Sequence, residues 1–111
     1  MPKHPRLTTR IKGHLEISKR RSGVFIGGDP KGLRSLAKIL ICLADADQES
    51  HPNMPDGERE HVHLYCTPQL RQLTPFSVET EICRLDAKGT GEFPDRYLTK
   101  SRKKSRRRTN G

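Results

Sequence analysis

Only one segment of this chain has the pattern of a long helix, and it constrains the rest of the fold. In DPKGLRSLAKILICLADAD (29–47), Leu33, Leu36, Ala37, Leu40, Leu43 and Ala44 recur three and four positions apart. That spacing gathers them into one apolar stripe, which Ile39, Ile41 and Cys42 widen. Asp29 is the expected N-cap, because its carboxylate can accept from the unpaired first-turn amides. Pro30 loses nothing at the first helical position, where its missing N–H would have had no partner. The helix is expected to end near Asp47. Gly27 and Gly28 before Asp29 suit a tight strand-to-helix turn that needs free φ. A phosphate cradle would call for G-x-G-x-x-G or Gly-Lys-Ser/Thr, and neither is present.

A single apolar stripe has to be buried against something, and the flanking segments read as strands. HLEIS (14–18) alternates, with Leu15 and Ile17 on one side and His14, Glu16 and Ser18 on the other. GVFIGG (23–28) follows the polar turn KRRS, so the two form a hairpin, although KRRS lacks strong two-residue turn chemistry. After a loop over 48–60, HVHLYC (61–66) and VETEICRLD (78–86) are two further strands, separated by an irregular stretch with two prolines. The expected fold is α+β: a four-stranded, mostly antiparallel sheet in the order β-β-α-β-β, with the helix on one face. Phe93, Tyr97 and Leu98 are candidate anchors beyond the last strand.

With 111 residues and 31% apolar content, the chain supports one small domain rather than several. No run of about 18 apolar residues is present, so no membrane span is expected. MPKHPRLTTRIKGH has basic residues but no apolar stretch after them, so no secretory signal is expected and the location reads as cytoplasmic. Cys42, Cys66 and Cys83 are odd in number, unpaired in spacing and set in apolar stretches. They read as reduced, buried thiols.

The net charge of +9 is unevenly placed. Residues 1–22 carry seven basic side chains against Glu16. Residues 99–111 carry seven and no acid: Lys100, Arg102, Lys103, Lys104, Arg106, Arg107 and Arg108. Between them, residues 23–98 hold eight basic and twelve acidic side chains. The expected organisation is a disordered basic segment at 1–12, one α+β domain at 13–98 and a disordered basic tail at 99–111. Such a tail contacts polyanions weakly and without sequence preference. It has no interleaved aromatics on which bases would stack.

The strand patterns place the polar side chains. If Val62, Leu64, Val78 and Ile82 face the helix, the opposite side of the sheet shows His14, Glu16, His61, His63, Tyr65, Glu79 and Glu81. His-x-His on a strand sets two imidazoles about 7 Å apart on one side. With a carboxylate from a neighbouring strand, such a pair can bind zinc. Cys66, however, points to the other face, and no His/Cys spacing matches a known zinc module, so no metal and no cofactor is expected. Nothing in the pattern supplies a nucleophile or a substrate pocket, so no catalysis is expected. His61, His63, Tyr65, Glu79 and Glu81 are the candidate partner-binding residues, tyrosine being favoured at interfaces.

GVFIGGDPKGLRSLAKIL, DGEREHVHLYC and ETEICRLDAKGTGEF, taken together, resemble the bacterial immunity protein 32 family of polymorphic toxin systems, over roughly residues 23–97. The resemblance implies a small α+β protein that binds and neutralises a cognate toxin, and it implies no particular functional residues. An acidic middle segment suits a basic, nuclease-type toxin by complementarity. The alternative is a small RNA- or ribosome-associated protein acting through its basic ends.

Overall fold

The computed structural model describes residues 8–70 and 72–97. The chain divides into two compact units. One comprises the described residues up to Asp47 together with Glu60–Cys83; the other comprises Gln48–Arg59 and the described residues from Arg84.

In the first unit, β1 (Leu15–Arg20) and β2 (Gly23–Gly28) form an antiparallel hairpin, α1 (Pro30–Asp45) follows, and β3 (His61–Leu64) pairs antiparallel with β4 (Thr80–Cys83). The element order is the expected β-β-α-β-β. The hairpin turns through Arg21 and Ser22 alone, with Arg20 opposite Gly23.

The four strands do not form one sheet, as the apolar patterns suggested, but two sheets of two strands. The reason lies in Thr74–Val78, which runs along the free edge of β1. The Thr74 N–H donates to the Leu15 carbonyl at 2.9 Å and the Val78 N–H to the Ile17 carbonyl at 2.8 Å. The two acceptors are two residues apart and the two donors four. A turn closed by the Ser77 N–H on the Thr74 carbonyl takes up the excess. Pro75, inside that turn, has no N–H to give a ladder. The Ser77 hydroxyl instead accepts from the Ile17 N–H at 3.1 Å. The seam between the sheets is therefore two backbone bonds and one side-chain bond, too irregular to be a strand pair.

The start of α1 is anchored at one point. Asp29 accepts from the Gly32 N–H at 2.7 Å, which is the expected cap, and also from the His14 N–H at 3.0 Å. The His14 ring nitrogen Nδ1 lies 3.0 Å from its other oxygen. These donors, the His14 backbone amide foremost, hold the Asp29 carboxyl far below the usual carboxylate range. Gly32 lies directly on His14, the residue before β1. A Cβ there would overlap the His14 carbonyl oxygen, so only glycine permits this approach.

That contact sets the rotation of the helix. The buried stripe runs through Gly32, Leu36, Ile39 and Leu43, not through Leu33 and Leu40. Ile39 is fully buried, whereas its neighbour Leu40 is 44% exposed. α1 carries apolar residues around more than half its circumference, so periodicity alone does not choose between the stripes. Ile39 packs in a core with Leu15 and Ile17 of β1, Val62 and Leu64 of β3, Leu73 and Ile11; Ile82 of β4 packs against it. Ile11 draws residues 8–12 into the packed unit. The Lys12 N–H donates to Ser35 Oγ at 2.8 Å and Gln72 Nε2 donates to the Thr9 carbonyl at 3.1 Å. One isoleucine among polar residues has no periodicity from which a sequence reading could place it in a core.

The second unit has few apolar residues and is held mainly by polar side chains on backbone. Lys88 Nζ donates to the carbonyls of His51 and Met54, Arg59 Nε to the Leu85 carbonyl at 2.7 Å, and Gln48 Nε2 to the Asp86 carbonyl at 3.0 Å. Arg84 makes a two-pronged contact with Asp86 at 2.7 and 2.9 Å, which lowers the Asp86 carboxyl pKa. Phe93 and Tyr97 are exposed and meet edge to face, 5.7 Å apart; Leu98 lies outside the described residues. No helix among the described residues is long and apolar enough to cross a membrane.

Candidate functional site

Alternation along β3 buries Val62 and Leu64 and turns His61 and His63 to the other side. The β3–β4 register then decides what stands beside them. His63 lies opposite Glu81 and His61 opposite Cys83, and residues opposite one another in an antiparallel ladder share a face. The two imidazoles meet edge to face at 5.0 Å and 89°, and Tyr65 stacks on His63 at 5.9 Å and 16°. The nearest ligand-type atoms of His61, His63 and Glu81 all lie within 4.8 Å of one another.

Of the five candidate partner-binding residues, the structure thus brings four together: His61, His63, Tyr65 and Glu81. Glu79 is exposed just before β4, outside the paired ladder. His14 and Glu16, expected on the same face, lie away from it: Glu16 is in β1 of the other sheet and His14 just precedes β1, because the four strands divide in two. His14 is engaged with Asp29, and Glu16 accepts from Ser18 Oγ at 2.8 Å, with Arg20 3.8 Å away. Cys83 departs from expectation as well: it is exposed, whereas Cys42 and Cys66 are partly covered.

A second feature escaped the sequence reading. Arg10, Lys12, Lys31, Arg34 and Lys38 line an open cleft of about 830 Å³ between the N-terminal segment and α1. The folded unit therefore carries a basic surface of its own, although its middle segment is acidic in sum. The signal was present, since Lys31, Arg34 and Lys38 stand three and four apart and share a helix face. Arg10 and Lys12 join them only through the burial of Ile11 between them. The tail cations from Lys100 to Arg108 lie outside the described residues.

No curated protein and no solved structure matches the chain. A family model described as immunity protein 32 matches residues 23–79. The matched stretch takes in β2, α1, β3 and the approach to β4, and so includes Gly32, the buried stripe of α1 and both histidines of the outer face. It spans just over half of the 111 residues, and the chain belongs to the immunity protein 32 family.

Proposed function

We propose that the protein binds a cognate bacterial toxin and neutralises it by covering a surface the toxin needs, without catalysis, and that the outer face of β3–β4 makes the contact. Membership of an immunity family implies a toxin partner in general. The observation that carries the choice of face is the row of rings His61, His63 and Tyr65, at least partly open to solvent beside a hydrogen-bonded strand pair, with Glu81 opposite His63. Rings already packed on one another lose little freedom on binding, so their contact area is gained at low entropic cost. The Glu81 carboxylate suits a basic toxin surface and would speed encounter with it.

The test is inhibition and binding of the toxin encoded beside this protein. The double variant His61→Ala/His63→Ala should unfold at the wild-type temperature and bind the toxin at least ~10-fold more weakly, as expected where a contact cluster is truncated. Unchanged affinity in that variant, with Tyr65→Ala also unchanged, would move the interface to another surface.

A further inference from the structure

We propose that His61, His63 and Glu81 form a binding site for a divalent transition-metal ion, with zinc the best match. The inference does not depend on the toxin-binding reading, because it concerns the protein alone. Two imidazole nitrogens and a carboxylate oxygen are a donor set that zinc takes at about 2.0–2.2 Å. Bonds of that length in a tetrahedron separate the ligand atoms by roughly 3.3 Å. The atoms here are all within 4.8 Å of one another, so rotation about side-chain bonds closes the set without backbone movement. Magnesium and calcium favour all-oxygen shells and fit poorly.

The backbone holds this set in place. His61 and His63 share a face by strand alternation, and Glu81 is fixed opposite His63 by the ladder. Tyr65, stacked on His63, restricts the orientation of that ring. Strand alternation alone allows a carboxylate from a neighbouring strand beside the two histidines but does not say which one. The pairing of β4 supplies that carboxylate, Glu81. Both histidines and Glu81 are accessible at the surface, so an ion needs no opening motion to enter.

The experiment is titration of untagged, full-length protein with Zn²⁺ alone, followed by calorimetry and by competition with a chelator. Wild type should take up one equivalent per chain. Glu81→Gln should bind at least ~10-fold more weakly, as removal of a metal-site group does. His61→Ala/His63→Ala, which keeps all three cysteines, should lose the equivalent while its circular dichroism stays that of wild type. Absence of saturable binding at one equivalent in wild type would overturn the proposal. So would equal binding by the double histidine variant, because the ion would then belong to the thiols.

Discussion

The hydroxyl of Ser77 accepts a hydrogen bond from the backbone N–H of Ile17, 60 positions earlier in the chain, at 3.1 Å. Both residues are buried, and the bond lies where a regular ladder would have used a carbonyl. Thr74 Oγ1, 3.1 Å from the same hydroxyl, completes the arrangement. The junction of the two small sheets therefore rests partly on one side chain.

Replacing that side chain tests its weight. Ser77→Ala leaves the Ile17 N–H buried without its acceptor, which should cost about 1–3 kcal/mol. Urea unfolding of the variant measures it. A loss under about 0.5 kcal/mol would mean that solvent satisfies the amide and that the seam is looser than the distances indicate.

Neighbouring positions on α1 should behave oppositely. Ile39→Ala removes a fully buried side chain and should cost about 2–5 kcal/mol. Leu40→Ala, at a position 44% exposed, should cost less than about 1 kcal/mol. Equal losses in thermal or denaturant unfolding would show that the helix is rotated from the orientation described.

Gly32→Ala probes what sets that rotation. Its methyl group would overlap the His14 carbonyl oxygen, so the helix start has to shift away from β1. The strain of such overpacking is typically about 1–3 kcal/mol, although alanine is the better helix former by about 1 kcal/mol. A stabilised Gly32→Ala protein, measured by denaturant midpoint, would contradict the close approach.

Asp29 gives a dependence on pH. Its folded-state pKa is depressed, chiefly by the His14 backbone amide and then by the His14 ring and the Gly32 amide. The stabilisation is therefore fully present above the unfolded value of about 3.9 and is lost as pH falls from there toward the folded value. Asparagine caps a helix about as well as aspartate but carries no charge. Asp29→Asn should thus be less stable than wild type at neutral pH, with the gap narrowing below about pH 4. A gap that stays constant between neutral pH and about pH 3 would remove the carboxylate from the account.

The order of elements, the Asp29–Pro30 helix start and the division of β3 into buried Val62 and Leu64 and outward His61 and His63 were all legible in the sequence. Each depends on residues within about four positions of one another, where strand alternation and helix capping operate. The rest was decided by residues that meet only in the folded chain. Gly32 against the His14 carbonyl chose which apolar stripe of α1 goes inward, a choice that composition left open because both stripes are apolar. The Thr74–Ser77 turn split one expected sheet into two, since a two-residue excess between strand segments is invisible until the segments are paired. The register of β3 with β4 put Glu81 opposite His63, and so chose the carboxylate of the ligand set, which strand patterns alone left open between Glu79 and Glu81. Sequence periodicity assigns a side chain to a face; only the pairing of distant strands says which side chains share it.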